Sequence, residues 1–316
     1  MFNEFGSSIC SFGAEVLTKH VTAMQNEAPG VQEAVDIEYI HRMRVASRRF
    51  RSVLPIFAGC FPEKTVQQWS KDIRGVTRSL GAARDMDVQI AHLQSFHDNL
   101  TERKYQAGLR RMLLRLRQQR DKMQSNVIKN ITRIQENQTL TEMLEKLSTY
   151  RCETAQYDRD LFQLARDNIM SRLEDLFIHE QAILEETNIE ELHATRISTK
   201  YLRYTLETFG ALYDAGMKQE IQYCREIQDT LGTIHDCDVW AILIPQFIES
   251  ERERVEKFYG SYTPMLPLLP GIRLYQASQV EQRKTLHHQF LRQWTEFKQK
   301  GVWANLVETI QSRLMP

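Results

Sequence analysis

Proline and glycine are scarce in this chain, with 8 and 13 copies among 316 residues. Scarcity of the two residues that most often interrupt regular structure is typical of helix-rich globular proteins. A strand-like alternation of apolar and polar residues is also missing, whereas amphipathic helical periodicity extends through almost the whole sequence. These absences predict an all-α fold.

Cysteine is too scattered to suggest a covalent framework. The five cysteines are odd in number and include no Cys-x-x-Cys pair. They are Cys10, Cys60, Cys152, Cys224 and Cys237. We therefore expect neither a disulfide framework nor a zinc knuckle, and we expect a reducing cytoplasm as the environment.

Long apolar runs are absent as well. The longest uncharged stretch, Phe258–Ile272, is interrupted by Pro264, Pro267 and Pro270 and falls short of the roughly 20 apolar residues that cross a bilayer. Glu4 precedes any apolar segment at the N-terminus, so no signal peptide is expected. We expect a cytoplasmic protein without a membrane partner.

Neither sign of charge is in excess, since 41 Lys and Arg side chains balance 41 Asp and Glu side chains. A balanced total does not exclude a local basic site, because the local field depends on where the charges lie. Function must therefore be sought in local patterns of charge.

The helical periodicity is interrupted at two expected loops. These are Asn26–Gly30 and the segment that contains Pro264, Pro267, Pro270 and Gly271. The predicted helices span residues 8–27, 36–60, 63–79, 85–97, 100–135, 157–185, 188–212, 216–231, 236–259 and 275–314.

The sequence contains two copies of one helical unit. The segment His41-Arg-Met-Arg-Val-Ala-Ser-Arg-Arg-Phe-Arg51 reappears as His193-Ala-Thr-Arg-Ile-Ser-Thr-Lys-Tyr-Leu-Arg203. Further along each copy, Leu80-Gly-Ala-Ala-Arg-Asp-Met-Asp-Val88 matches Leu231-Gly-Thr-Ile-His-Asp-Cys-Asp-Val239. This spacing is longer than the roughly 20–50 residues of solenoid repeats and fits a pair of helical bundles packed face to face.

The two copies predict one domain over residues 1–316, built of tandem repeats at 1–150 and 151–316. Asp36 and its counterpart Asn188 precede the two basic segments and can cap their first turns. The glycines of the two Leu-Gly motifs suit helix ends, and the first aspartate of each motif can cap the helix that follows. These residues are Gly81, Gly232, Asp85 and Asp236.

Each basic segment places its cations in one stripe along a helix. At about 100° per residue, the first stripe is about 80° wide and about 15 Å long. It consists of His41, Arg44, Arg48 and Arg51, and its second copy of His193, Arg196, Lys200 and Arg203. On another face of the first helix are the apolar residues expected to meet the core, namely Met43, Ala46, Phe50, Val53, Leu54 and Phe57.

A row of like charges costs a helix about 0.2–0.5 kcal/mol per pair. No acidic residue occurs between Tyr39 and Pro62 to offset that cost. Two copies of an unfavourable arrangement suggest an external anion, since guanidinium groups bind phosphate oxygens in pairs and lysine adds a point charge. The alternative is a solvated face paired with acids on neighbouring helices. A single stripe would favour that alternative, whereas two matched stripes favour a binding site.

The histidines that begin the stripes, His41 and His193, allow three interpretations. In the first, each histidine packs at the wall of the binding site and forms a hydrogen bond with the backbone or the ligand. Second is a phosphoryl acceptor, although no phosphate-cradling glycine loop accompanies either histidine. A metal ligand comes last, because three cations share each histidine's face. The pair His235-Asp236 corresponds to Arg84-Asp85 in the first copy, so we expect ion pairing there and no metal.

Two further basic sets are weaker signals. Lys71, Arg74 and Arg78 share one helix face, and their counterparts in the second copy are Gln222, Arg225 and Asp229. The other set splays around its helix, as an ordinary solvated surface does. Its members are Arg103, Lys104, Arg110, Arg111, Arg115, Arg117 and Arg120.

The two His-x-x-Arg stripes and the two Leu-Gly-x-x-x-Asp-x-Asp-Val segments resemble the CHAD domain, a helical domain named for its conserved histidines. The second copy matches more closely, with Lys200-Tyr-Leu-Arg-Tyr204 followed by Glu207. The resemblance covers roughly residues 5–314. The absence of a β-rich segment indicates a stand-alone module without the triphosphate tunnel enzyme that some members carry.

The resemblance implies two four-helix bundles related by pseudo-twofold symmetry, with a basic groove between them that binds inorganic polyphosphate without catalysis. By motif position, the implied contacts are His41, Arg44, Arg48, Arg51, His193, Arg196, Lys200 and Arg203. Further contacts would be Lys71, Arg74, Arg78 and Arg225. No cofactor or metal is implied, and the protein is expected to reside on polyphosphate granules. The balanced net charge departs from the basic character expected of such a binder.

Two other functional classes stay open. One is a phosphohydrolase or phosphotransfer enzyme that uses His41 or His193 as phosphoryl carrier. The other is a binder of nucleic acid or inositol phosphate that uses the same stripes, with Tyr201 and Tyr204 as candidates for base stacking. Aromatic residues near the stripes are few, which disfavours nucleic acid.

Overall fold

The computed structural model describes residues 5–33, 36–152, 157–213 and 217–312. Within these ranges every regular element is a helix, so the predicted all-α class is confirmed. None of these helices combines the length and apolar character that crossing a membrane requires. Glu4 and the segment 153–156 near the predicted repeat boundary lie outside the described residues.

The α-helices follow one another with short connections. They are α1 (Ser7–Glu33), α2 (Ile37–Val53), α3 (Glu63–Asp98), α4 (Arg103–Glu136), α5 (Thr139–Ser148), α6 (Arg159–Phe177), α7 (Ile189–Phe209), α8 (Lys218–Tyr259), α9 (Leu269–Gln299) and α10 (Val302–Ser312). Short 3-10 turns follow α2, α6 and α7 and precede α9.

The helix order repeats, with α1–α5 in the first repeat and α6–α10 in the second. The basic stripes lie on α2 and α7, and the Leu-Gly motifs lie on α3 and α8. Helix α2 packs against α1 and α3 and also contacts α7, so the two stripe-bearing helices meet at the centre of the molecule. This central meeting positions the site described below.

Helix α2 begins and buries its apolar face as its sequence predicts. The Asp36 side chain accepts a hydrogen bond from the Glu38 backbone N–H at 2.9 Å, which satisfies one free donor of the first turn. All six apolar residues predicted to meet the core are buried. The equivalent cap predicted for α7 is wrong. Asn188 makes no cap hydrogen bond, and its side chain donates instead to the Ala182 carbonyl.

The hydrophobic cores of the repeats are continuous. One cluster of buried residues draws on both repeats, and within it Phe57 meets its counterpart Phe209 with ring centroids 6.0 Å apart. A second cluster joins the far ends of α3, α4, α8 and α9 around Trp240 and Tyr275. Equivalent phenylalanines of the two copies therefore meet in one shared core.

The Leu-Gly motifs do not end helices. Gly81 lies inside α3 and Gly232 inside α8, and neither has a positive φ. Asp85 and Asp236 therefore sit in mid-helix and cap nothing, which corrects the sequence-based expectation. Both glycines lie close to arginines of the basic stripes, and this closeness accounts for them better than a turn does.

Both predicted loops are largely helical. Asn26–Gly30 lies inside α1, where a β-carbon on Gly30 would come 2.3 Å from the Tyr39 ring. Residues Thr263–Leu268 form a 3-10 turn, and Gly271 lies in α9 against the backbone of Tyr105. These glycines permit a close approach of two helices, whereas the sequence analysis interpreted them as turn residues. Conversely, the sequence predicted one helix over residues 275–314, but Gly301, with a φ of 65°, separates α9 from α10 there.

The expectation of no disulfide is also corrected. Cys10 of α1 is bonded to Cys60, which lies in the 3-10 turn after α2. The two cysteines are 50 positions apart in the sequence and become neighbours only through the packing of α1 on α2. Their spacing therefore gave no signal.

Candidate functional site

A cavity of about 770 Å³ lies between the two repeats. Its walls come from α2 and α3 of the first repeat and from α7 and α8 of the second. Among the described residues, seven Arg and Lys side chains line it against three Asp side chains. The cavity is therefore locally basic although the whole chain is neutral.

The first repeat contributes three of its four stripe residues. His41, Arg44 and Arg48 of α2 line the cavity, because they lie opposite the apolar face that α2 buries in the core. Arg51 is exposed and does not line it. Its charge is nevertheless close enough to help lower the pKa of Lys200.

The second repeat also contributes three stripe residues. Arg196, Lys200 and Arg203 of α7 line the cavity, and Arg225 of α8 joins them. His193 lies just behind the wall, where its ring is 4.5 Å from that of the lining residue His235. The stripes therefore reach one shared space.

The flanking basic set of the first repeat lies elsewhere. Lys71, Arg74 and Arg78 are exposed on α3 and do not line the cavity. Part of the splayed set on α4 is occupied internally, because Arg111 and Arg115 bind the fully buried Glu251 at 3.0 and 2.9 Å. These two arginines thus have a structural role.

Burial of so many cations in one place disfavours their charged forms. Burial, followed by the charges of neighbouring arginines, lowers the pKa values of Arg44 and Arg196. The same causes, burial first and then Arg48 and Arg196, lower the pKa of Lys200 to about 8. The charge of Arg48 in the first repeat thus lowers the pKa values of Arg196 and Lys200 in the second. This effect across the repeats indicates that the two stripes face one another.

The three aspartates offset only part of this charge. Arg44 donates to Asp85 at 3.1 Å, so one stripe cation already has a carboxylate partner on α3. Asp236 occupies the equivalent position on α8, and burial raises its pKa although Arg196 acts to lower it. Asp229 lines the cavity about two helix turns earlier on α8.

The second aspartate of each motif has a different task. Asp87 accepts from Arg120 Nε at 2.7 Å, and Asp238 accepts from Arg283 Nε at 2.5 Å. Both aspartates are buried, and each pair joins the motif helix to the next helix of its repeat. The ion pairing expected of the motif aspartates is confirmed, and the second one of each motif fixes the cavity wall from behind.

The motif glycines make room for the stripe arginines. A β-carbon built on Gly81 would be 3.7 Å from Arg44 Nε, and one on Gly232 would be 3.8 Å from Arg196 Nε. Any side chain larger than alanine would compete with the guanidinium for this space. The glycines thus leave the space beside each arginine free of a long side chain.

Both stripe histidines are held mainly in their neutral form. Burial lowers the pKa of His41, with Arg84 as the next cause, and burial with Arg196 lowers that of His193. Within the described ranges, Nδ1 of each ring is buried without a hydrogen-bond partner. No group of three or more His, Cys, Asp or Glu side chains in these ranges could hold a metal ion.

Several lining residues escaped the sequence reasoning. They are Arg84, Gln89, His92, Gln228, His235 and Trp240. Arg84 and His235 occupy equivalent positions, and their shared capacity for positive charge was a usable signal. Gln89 and His92 follow Asp85 on one face of α3, and this shared face was a usable signal as well.

Comparison with known proteins bears on the family and the fold. The sequence model of one protein family, the CHAD domain, matches residues 15–245. The crystal structure of the CHAD domain from the plant Ricinus communis is similar with a TM-score of 0.56 and 23% identity, over 88% of this chain and 93% of that one. PptA from Streptomyces chartreusis is similar with a TM-score of 0.60 and 14% identity, over 90% and 99%. No curated protein matches the chain.

Proposed function

Because this chain belongs to the CHAD domain family, we propose that its central cavity binds inorganic polyphosphate and does not turn it over. The observation that carries the proposal is the facing arrangement of two basic helix surfaces. Arg44 and Arg48 of α2 share one cavity with Arg196, Lys200 and Arg203 of α7. A polymer with a charge on every unit matches two rows of cations, because successive phosphates can meet successive guanidinium groups.

The buried cations supply most of the expected affinity. Burial first, and the charges of neighbouring arginines after it, lower the pKa values of Arg44, Arg196 and Lys200, so their positive charges are unfavourable without a counter-ion. A bound anion offsets these charges, and charge-assisted hydrogen bonds to phosphate are stronger where water is scarce. Arg44 would exchange its bond with Asp85 for a phosphate oxygen. Asp85 is exposed and stays hydrated when it is released.

A chain longer than the cavity would continue onto the surface. Arg51 acts on the lining residue Lys200, and His193 contacts the lining residue His235. Both are therefore proposed as the next contacts of such a chain. The exposed α3 set is proposed as an outer contact with weaker effect, since exposed charges are screened by salt. The full proposed set is His41, Arg44, Arg48, Arg51, Lys71, Arg74, Arg78, His193, Arg196, Lys200, Arg203 and Arg225. Such a binder would associate with polyphosphate granules.

Calorimetric titration with polyphosphates of several lengths, at two salt concentrations, tests the proposal. The logarithm of affinity should fall with the logarithm of salt by roughly 0.7 for each neutralised phosphate. The double variant Arg44→Ala with Arg196→Ala should bind at least about 100-fold more weakly, because each lost hydrogen bond to a charged group costs roughly 1.5–3 kcal/mol. Unchanged affinity in this variant, with an unchanged helical circular-dichroism spectrum, would refute the site.

A matched control removes the same charge outside the cavity. Arg42 of α2 is paired with Glu27, and Arg172 of α6 is paired with Asp175. The double variant Arg42→Ala with Arg172→Ala should bind within about threefold of the wild type, because exposed ion pairs contribute little. A loss equal to that of the cavity variant would mean that only net charge matters.

The same titrations separate the alternative functions. Release of orthophosphate from polyphosphate, abolished by His41→Asn, would indicate a phosphohydrolase. Preferential binding of single-stranded RNA over polyphosphate of equal charge would indicate base stacking on residues such as Tyr204. We expect neither outcome, since the cavity offers mainly guanidinium groups and one ammonium group.

A further inference from the structure

Lys200 is the one lysine among the described residues that line the basic cavity. It is half-buried on α7, at the position where the first repeat has Arg48. Both Arg48 and Arg196 act on its charge, and so do Arg44 and Arg51. Its amine therefore sits among guanidinium groups that cannot themselves lose a proton at neutral pH.

This setting is the one that makes a lysine nucleophilic. Burial and neighbouring cations both favour the neutral amine, and burial is the larger cause of the lowered pKa of Lys200, at about 8. At pH 7.5 roughly a quarter of the Lys200 side chains are neutral, against about one in a thousand for an ordinary lysine. The Tyr201 ring, 4.4 Å from Nζ, favours the charged form without reversing the shift.

The same arginines attract small phosphorylated compounds. A reagent that joins an acyl group to a phosphate would be held by its phosphate, with its carbonyl carbon beside the lysine. We propose that Lys200 is acylated by acyl phosphates that enter the basic cavity, and that this acylation switches off anion binding there. The second half of the statement rests on the proposed polyphosphate function, whereas the first half does not.

The chemical step needs no further reactant. Neutral Nζ of Lys200 attacks the carbonyl carbon of the acyl phosphate, and a C–N bond forms. The bond between that carbon and the phosphate oxygen breaks, and inorganic phosphate leaves with the bonding electron pair. The nitrogen then loses its extra proton to water or to the departing phosphate. The product is a neutral amide, so one positive charge disappears from the centre of the cavity.

Acetyl phosphate is the probe that tests the acylation. The protein is incubated with it at pH 7.5, and the rate of acetylation at each lysine is measured by peptide mass spectrometry. Exposed Lys64 of α3 and Lys122 of α4 serve as internal references. We expect Lys200 to react at least about tenfold faster than both, since the larger neutral fraction outweighs the lower nucleophilicity of a weaker base. A rate no higher than that of the references overturns the proposal.

A neutral acetylating ester separates amine reactivity from anion attraction. With acetyl N-hydroxysuccinimide ester the preference for Lys200 should be several-fold smaller than with acetyl phosphate. An equal preference overturns the selectivity for acyl phosphates. In the Arg48→Gln variant, acetyl phosphate should modify Lys200 at least about threefold more slowly, while Lys64 keeps its rate. An unchanged rate at Lys200 overturns the role given to the neighbouring cations.

Acetylation in the presence of polyphosphate separates the claim of a reactive Lys200 from the claim of polyphosphate binding. Saturating polyphosphate should suppress acetylation of Lys200 at least about tenfold and leave Lys64 unaffected. Rapid acetylation without this protection would refute the polyphosphate site and uphold the reactive lysine. Tight polyphosphate binding with slow acetylation would do the reverse. Protein acetylated at Lys200, and the variant Lys200→Gln, should both bind polyphosphate about tenfold more weakly.

Discussion

The two repeats bring matching sequences to one cavity, yet they equip it differently. In the first repeat, His41 lines the cavity and Arg51 does not; in the second, His193 lies behind the wall and Arg203 lines it. Arg225 of α8 lines the cavity, whereas its counterpart Arg74 of α3 does not, although both side chains are exposed. Equivalent positions therefore differ in whether they line the cavity, because each repeat packs against different neighbours.

The aspartates and the central cations extend this contrast. Arg44 is bonded to the exposed Asp85, whereas Asp236, at the equivalent position of the second repeat, is half-buried with a raised pKa. Arg48 corresponds to Lys200, whose pKa burial and nearby arginines lower to about 8. At this central position the second repeat thus has a titratable lysine, whereas the first repeat has an arginine that stays charged.

The largest expected effect separates the two stripe arginines. Arg44→Ala should weaken polyphosphate binding about 30-fold and Arg196→Ala about tenfold, because only the first leaves a hydrated carboxylate, Asp85, facing the ligand without its cation. Adding Asp85→Asn to Arg44→Ala should recover about threefold. Calorimetry measures all three variants, and equal losses for the two arginines would erase the contrast between the repeats.

Next in size is the effect of filling the space beside each arginine. Gly81→Leu should displace the Arg44 guanidinium and weaken binding about tenfold, since a β-carbon there is already 3.7 Å from Nε. Gly81→Ala is the matched control. It should keep the affinity and stabilise α3 by about 1 kcal/mol, because alanine is the better helix former. Thermal melting and calorimetry check both variants, and a loss of affinity with alanine would contradict the proposed reason.

The pH dependence should come from the second repeat. A polyanion binds the charged form of Lys200, so affinity should be full below pH 8 and fall about fivefold towards pH 9, as the amine of the unbound protein loses its proton. Lys200→Arg should remove this fall, because arginine stays charged. Titrations in buffers of different ionisation enthalpy would show proton uptake on binding at pH 8.5, and a flat profile in the wild type would count against the lowered pKa.

A smaller effect concerns the outer stripe positions. Arg203→Gln should reduce the salt slope by about 0.7 and the affinity about threefold, because Arg203 lines the cavity. Arg51→Gln should reduce both by less than half as much, since Arg51 is exposed and its charge is screened. Affinities at four salt concentrations give both slopes. Equal slopes would mean that the bound chain reaches both edges of the cavity alike.

The smallest effect on binding is expected from the disulfide of the first repeat. Reduction of Cys10–Cys60 should lower stability by about 2–4 kcal/mol and the melting temperature by several degrees, because the bond constrains the unfolded chain. Affinity should stay within about twofold, since neither cysteine lines the cavity. The variant Cys10→Ala with Cys60→Ala should melt at one temperature with or without reductant, and a tenfold change in affinity on reduction would show coupling to the site.

Periodicity and repetition predicted most of the fold and the centre of the site. Arg44, Arg48, Arg196 and Lys200 were identified from their spacing, because a helix places residues three and four apart on one face. The wrongly predicted helix breaks share one cause. Gly30, Gly81 and Gly271 were taken for chain breaks, whereas each lies inside a helix. Gly30 and Gly271 allow a close approach between helices, and Gly81 leaves room for an arginine.

The amino-acid sequence by itself determined the helical class, the duplication and the charge on two helix faces, since these follow from local spacing along the chain. Tertiary packing alone decided which members of each face reach the common space, which aspartate neutralises which arginine, and how far Lys200 is shielded from water. Those outcomes depend on distances between residues far apart in the chain, and such distances are set by the packing of whole helices.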